Sequence, residues 1–225
     1  MAGYNAEGDK MNLSLQKRIT DDFHTMYYQS SHTWNSGNTK YMGIPCFQNP
    51  LDMWILAEII FETKPTIIIE CGSYMGGTSL FFAHIMDNAK IDGMVFSIDV
   101  QDKSMANHPK IKRLIGISTS GLIFRRIEDE MGSGDKVMVV LDSDHRTENV
   151  LKEMQIYSNI VTPGCYMVVM DSNLGGNPIN LPEIGDGPMK AIEAFLKLDD
   201  RFEIDITKEK FYFTFAPSGW LRRVK

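Results

Sequence analysis

The chain has 225 residues, 43% apolar and 23% charged, the make-up of an ordinary water-soluble globular domain. At that length one hydrophobic core buries roughly 70% of the surface exposed by the unfolded chain, so folding needs no disulfide or metal staple. Twenty-nine acids against 23 bases leave a net charge of −6, which argues against a surface built to coat nucleic acid or an anionic membrane.

Residues 1–10 are polar and read as a disordered lead. The start, MAGYNAEGDKMNLS, lacks a signal-peptide core, and no apolar run reaches the ~18 residues of a membrane span. Residues 11–62 hold two helical patterns around a loop rich in Ser, Asn, Gly and Pro, and form an expected N-terminal helical cap. That loop carries Trp34, Tyr41 and Phe47, which suit either a lid over an acceptor site or a packed Ω-loop.

From residue 63 to 225 the rhythm is that of one α/β unit. Apolar runs at Thr66–Glu70, Met94–Asp99, Ile111–Ile115, Lys136–Asp142 and Cys165–Asp171 read as strands. Amphipathic stretches at about 77–89, 119–131 and 147–161 separate them as helices. Runs such as TIIIE, VMVVLD and YMVVMD suit strands buried on both faces, and their alternation with helices predicts a parallel sheet. A last helix over Pro188–Leu198 is followed by Phe202–Ile206 and Phe211–Phe215. Only TKEK joins those two runs, too short for a parallel crossover, so they are expected to pair as an antiparallel hairpin. The predicted architecture is a doubly wound, Rossmann-like α/β sheet, mostly parallel, with an antiparallel C-terminal edge. Cys46, Cys71 and Cys165 are far apart without ligand spacing, which excludes a disulfide scaffold and points to a reducing cytoplasm.

In such sheets ligands gather at the carboxyl ends of the strands, near the point where strand order reverses. Four polar clusters fall there. Glu70-Cys71-Gly72-Ser73-Tyr74-Met75-Gly76 closes the first parallel strand and opens a helix, with glycines for a tight turn and free N–H groups for a ligand. Ser97-Ile98-Asp99 ends the next strand, where a carboxylate can accept from a ribose diol. Leu141-Asp142-Ser143-Asp144-His145 and Met170-Asp171-Ser172-Asn173 end the fourth and fifth. Their oxygen atoms suit a hard cation such as Mg²⁺ or Ca²⁺, and His145 is placed to act as a general base. His24, His32, His84 and His108 lie in helices or loops and read as structural or solvated.

ECGSYMGGTS followed by SID resembles the cofactor motif and ribose-binding acid of S-adenosylmethionine-dependent methyltransferases, catechol and caffeoyl-CoA O-methyltransferases above all. From about Trp34 to Arg223 the pattern is similar to the cephalosporin hydroxylase family, which includes rhamnosyl O-methyltransferases. The pieces that carry it are KPTIIIECGSYMGGTSL, VLDSDHRTENVLKEM, PGCYMVVMDS, GPMKAIEAFL and TFAPSGWLRR. The resemblance implies a methyl donor, S-adenosylmethionine, held by Glu70, Gly72, Ser73, Tyr74 and Gly76, with Asp99 on the ribose, Ser118 near the adenine and Asp144 close by. It also implies Asp142 and Asp171 as ligands of Mg²⁺ or another hard divalent cation, and His145 where catechol-type enzymes carry a catalytic lysine. Antibiotic-pathway members have Glu-Asp where this chain has Met170-Asp171, which leaves the third protein ligand open, with Ser172 and Asn173 as candidates.

The activity so implied is O-methylation of a small-molecule hydroxyl, on a sugar, an antibiotic or another secondary metabolite. Two alternatives stand beside it: an NAD-dependent oxidoreductase, and a non-catalytic adenosyl-ligand-binding protein without a metal site. ECGSYMGG departs from the dinucleotide pattern G-x-G-x-x-G. The acceptor and any homo-oligomer stay open.

Overall fold

The computed structural model describes residues 13–34 and 38–225; the lead expected at 1–10 lies outside them. Helix α1 (Leu13–Gln29) leads to a small hairpin of β1 (Lys40–Tyr41) and β2 (Ile44–Pro45), then to α2 (Pro50–Thr63). Asn49 caps α2 by accepting the Leu51 N–H, and Pro50, which has no N–H to lose, sits at the first helical position. Lys64 in the left-handed region closes that helix.

The α/β unit follows as β3 (Ile67–Cys71), α3 (Gly77–Asn88), β4 (Met94–Asp99), β5 (Ile111–Ile115), α4 (Gly121–Glu128), β6 (Val137–Leu141), α5 (Thr147–Tyr157), β7 (Tyr166–Val169), α6 (Gly187–Leu196), β8 (Phe202–Ile204) and β9 (Trp220–Arg223). Seven strands form one sheet in the order β5-β4-β3-β6-β7-β9-β8. The first five are parallel and β9 is antiparallel to both its neighbours.

Strand periodicity divides the core into two layers. Ile67, Ile69, Phe96, Ile98, Val137 and Val139 face α4, α5 and α6 through Ile123, Ile127, Met154, Tyr157 and Phe195. Ile68, Val95, Met138, Val140 and Val168 face α2 and α3 through Ile55, Ile59, Phe82 and Met86. Every residue of β3, β6 and β7 is buried, which is why these strands read as unbroken apolar runs.

The terminal hairpin has a different second strand from the one expected. Phe202–Ile204 pairs with Trp220–Arg223, and Phe211–Phe215 forms no strand. In place of a ladder, that segment combines backbone bonds such as Asn173 N–H to Phe215 O at 3.2 Å with side-chain ones: Asp52 Oδ2 accepts the Phe215 N–H at 2.7 Å and Asn49 Nδ2 donates to Phe213 O at 3.5 Å. Its aromatic rings instead anchor α1. Phe215 lies 5.5 Å from Tyr28 and 5.4 Å from Trp34, and Phe213 lies 5.1 Å from both Phe23 and Tyr27. Phe215→Ala should therefore cost about 3–5 kcal/mol of stability in urea unfolding. An unchanged midpoint would show that the cap does not depend on this anchor.

Candidate active site

The sheet order reverses at β3, which has β4 on one side and β6 on the other. Their carboxyl ends are drawn together by backbone hydrogen bonds: Gly72 N–H donates to Ile98 O at 2.8 Å, and Asp142 N–H donates to Cys71 O at 2.8 Å. Gly72 has φ +91°, and a Cβ there would fall 2.1 Å from Asp142 O. Only glycine lets β3 and β6 close at this point.

A cavity of about 490 Å³ opens over these strand ends. Gly72, Tyr74, Asp99, Ser118, Asp142, Ser143, Asp144 and Asn149 are among its lining residues. Of the residues implied as cofactor contacts, Gly72, Tyr74, Asp99, Ser118 and Asp144 reach this lining, whereas Glu70, Ser73 and Gly76 do not. Asp99 is held by two backbone donors, Tyr74 N–H and Gln101 N–H, each at 2.8 Å. Asp144 is paired with Arg146, whose Nε donates to both its oxygens at 2.9 and 3.0 Å and holds the acid below its ordinary range. Phe47 stacks on Tyr74, with ring centroids 5.0 Å apart, at the mouth of the cavity. Trp34 packs on Phe215 and Tyr41 on Phe81.

Glu70 serves a different neighbourhood. It is buried, accepts from Ser79 Oγ, and joins through it to Ser97 Oγ at 2.8 Å. Burial pushes its carboxyl up to about 8, against the opposing pull of the Ser79 hydrogen bond.

Asp142, which lines the cavity, also belongs to a cluster in which one ligand atom each from Asp142, His145 and Asp171 lie within 4.8 Å of one another. The acids leave neighbouring strands one residue out of step: Leu141 is opposite Val169, which sets Asp142 level with Met170, and Asp171 follows. Asp171 adopts a left-handed φ of 55°, and His145 Nε2 stands 3.1 Å from its Oδ2. Burial raises both carboxyls, and the field of Asp171 raises Asp142 further, while His145 pulls Asp171 down. Two raised carboxyls beside an imidazole form a donor set that a divalent cation would stabilise by replacing protons as the counter-charge.

Ser172 uses its hydroxyl elsewhere, whereas Asn173 commits only its amide nitrogen and keeps a buried Oδ1 without a partner among the described residues. Ser172 Oγ donates to Pro217 O at 2.6 Å, and Asn173 Nδ2 meets His24 Nε2 at 2.9 Å. His24 is lowered to about 4 by burial, so its ring is neutral and able to accept. One further residue touches the acid pair from the cap, and a second lies within its field. Gln48 Nε2 donates to Asp142 Oδ2 at 2.6 Å, and the phenol of Tyr28 is raised by burial and by the fields of Asp171 and Glu183. Neither carries a motif: a single Gln or Tyr in an N-terminal segment has no spacing that points to a strand end 94 residues away.

The family model for rhamnosyl O-methyltransferase/CmcI matches residues 33–224. The rhamnosyl O-methyltransferase of Mycobacterium leprae (strain TN) is 39% identical over 213 residues, 91% of this chain and 90% of that protein. The chain belongs to this family. The rhamnosyl O-methyltransferase of Mycobacterium tuberculosis (strain ATCC 25618 / H37Rv) is 34% identical over 217 residues, 91% of this chain and 85% of that one. Among solved structures, CmcI without ligand superposes with a TM-score of 0.65 at 17% identity, over 100% of this chain and 89% of that one. CmcI with Mg and SAM gives 0.63 at 16% identity, with the same coverage. These two likenesses establish the shared Rossmann-like methyltransferase fold of the rhamnosyl O-methyltransferase/CmcI family.

The raised Glu70 has a measurable consequence. A carboxyl at about 8 in the folded chain and 4.5 in the unfolded chain binds more protons when folded between those values. Stability therefore falls as pH rises from about 4.5 to 8. Asp52, pushed up to about 7, adds a contribution of the same sign. Glu70→Gln should flatten, without abolishing, the decline in urea midpoint between pH 5 and 8. A decline of unchanged steepness would contradict the buried acid's role.

Proposed function

We propose that this protein transfers the methyl group of S-adenosylmethionine to a hydroxyl of a small molecule, with a hard divalent cation at Asp142 and Asp171. A sugar hydroxyl is the acceptor we favour, because the curated relatives are named rhamnosyl O-methyltransferases. The single observation that carries the reading is the meeting, at one end of the sheet, of a cavity lined by Asp99 and Ser118 with the cluster of Asp142, His145 and Asp171. Family membership sets aside the dinucleotide oxidoreductase, and the intact donor set speaks against a binding protein without a metal site. A reducing cytoplasm suits the three buried free thiols.

When bound, S-adenosylmethionine supplies an electrophilic methyl carbon and the divalent cation lowers the pKa of an acceptor hydroxyl. The chain's own residues do the rest. Asp99 accepts from the ribose diol, its carboxylate fixed by Tyr74 and Gln101. Gly72, Tyr74 and Asp144 line the space beside it. Asp142 and Asp171 hold the cation, and Gln48 keeps Asp142 in place. Ser172 supports the Asp171 turn, the role its hydrogen bond favours over direct ligation, while Asn173 keeps its buried Oδ1 free of any partner among the described residues as a hard oxygen donor. His145 takes the acceptor proton on its imidazole, and the Asp171 carboxylate 3.1 Å from Nε2 stabilises the imidazolium that results. Orientation of donor and acceptor accounts for much of the rate, on the order of 7–11 kcal/mol for well-aligned reactants. The placement of a His145 nitrogen inside the 4.8 Å set favours one second reading, in which the imidazole is itself a ligand.

Asp99→Ala should weaken S-adenosylhomocysteine binding by about 1.5–3 kcal/mol, the scale of hydrogen bonds to a charged group. Calorimetry that finds no adenosyl ligand bound to folded protein would sink the proposal. Asp142→Ala should abolish Mg²⁺-dependent transfer and leave that affinity nearly intact. His145→Ala should lower turnover by about 10²–10⁴-fold and remove the limb of the pH profile that the base controls. A raised Mg²⁺ requirement with an unchanged profile would instead make His145 a ligand.

A further inference from the structure

Two hydroxyls in the cofactor cavity share one acceptor. Ser118 and Ser143 both line the cavity, and both donate to Oε1 of Glu153, Ser143 at 2.6 Å. Glu153 lies on α5, is fully buried at 0% exposure, and its Oε2 has no hydrogen-bond partner among the described residues. Asn149, one turn earlier on the same helix, donates through Nδ2 to Ser143 Oγ and to the backbone carbonyl of Asp144, each at 3.1 Å. A backbone carbonyl only accepts, so the amide nitrogen must be on that side and Oδ1 is the polar atom left over. Tyr157 adds no donor, because its hydroxyl is spent on Ser118 O at 2.8 Å.

These commitments settle what the side chains offer a ligand. Both serine protons point to Glu153 and both amide hydrogens of Asn149 are used. What remains for a ligand is lone pairs on Ser118 Oγ, Ser143 Oγ and Asn149 Oδ1. Strand order says which part of the ligand meets them. The reacting methyl must lie at the Asp142 end, β6; Asp99 ends β4, two strands away; Ser118 follows β5, one strand further out. A ligand whose ribose is at Asp99 and whose sulfur is at Asp142 therefore places its base toward Ser118.

Resting on the adenosyl-cofactor reading above, we propose that Glu153 is a specificity-determining residue that, by turning the hydroxyls of Ser118 and Ser143 into acceptors, selects a purine with a 6-amino group over one with a 6-oxo group. An adenine amino group brings two N–H donors to side chains that only accept. A hypoxanthine oxygen at the same place meets lone pairs, and a site built around one hydrogen-bond pattern rejects its opposite strongly. Glu153 touches no ligand itself; it acts through the two serines.

The test compares S-adenosylhomocysteine with S-inosylhomocysteine by calorimetry on the full chain. The wild type should prefer the adenosyl ligand by about 10²-fold or more. Glu153→Met, which keeps the side-chain length and removes the acceptor, frees both hydroxyls to donate and should cut that preference at least about tenfold. Ser118→Ala, on a site 7% exposed, provides a second variant should the first fail to fold, and it should narrow the preference likewise. Equal wild-type affinity for the two ligands, or an unaltered preference in a folded variant, would overturn the role of Glu153. A wild type that binds neither ligand would overturn the adenosyl reading itself.

Discussion

Two carboxylates that cannot move apart organise this protein. Asp142 and Asp171 follow adjacent parallel strands, one residue out of step, and neighbouring strands in a sheet are about 4.8 Å apart. Burial raises both acids, and the charge of one raises the other. Such a pair is tolerable in three ways: by holding protons, by lending charge to a neighbouring imidazole, or by sharing a cation. His145 supplies the second within 3.1 Å, and the 4.8 Å cluster suits the third. The surrounding structure serves to keep the pair aligned. Gln48 reaches from the cap to Asp142, the left-handed Asp171 is followed by two side chains tied to Pro217 and His24, and α1 is fastened over them by Phe213 and Phe215.

The donor side depends on the neighbouring break in the sheet. Because β3 has β4 and β6 as partners, the turn at Gly72 and the end of β6 form the two edges of one crevice, with Asp99 on the third strand. The glycine permits a close backbone contact there rather than a flexible loop. Groups at adjacent strand ends are positioned by a rigid sheet better than by loops, which suits the proposed meeting of methyl donor and acceptor there.

Much of the fold was legible in the sequence because the sheet is buried on both faces. Five parallel strands announced themselves as apolar runs, and their ends marked Asp99, Asp142 and Asp171 before any side-chain geometry was known. The reading went astray where one pattern had two physical explanations. Phe211 to Phe215 alternates like a strand, yet its alternation serves aromatic packing against α1, and side chains of Asn49 and Asp52 take over part of the hydrogen bonding a ladder would supply. Glu70 stands in the cofactor motif, but its side chain is turned to Ser79 and does not line the cavity. Gln48 and Glu153 were invisible for another reason. Glu153 sits in LKEMQIY, where a charged residue reads as the solvated face of a helix, and only the packing of α5 on β6 reveals that it is buried. Contacts made across long sequence separations by single residues leave no local periodicity to find.

The most direct measurement of the central claim is the binding of Mn²⁺, followed by electron paramagnetic resonance, to the chain saturated with S-adenosylhomocysteine. Mn²⁺ is a hard cation that takes the same carboxylate ligands as Mg²⁺ and carries its own signal. The account predicts one tightly held Mn²⁺ per chain that Mg²⁺ displaces and that Asp171→Asn releases. No bound Mn²⁺, or Mn²⁺ held equally well by that variant, would contradict it.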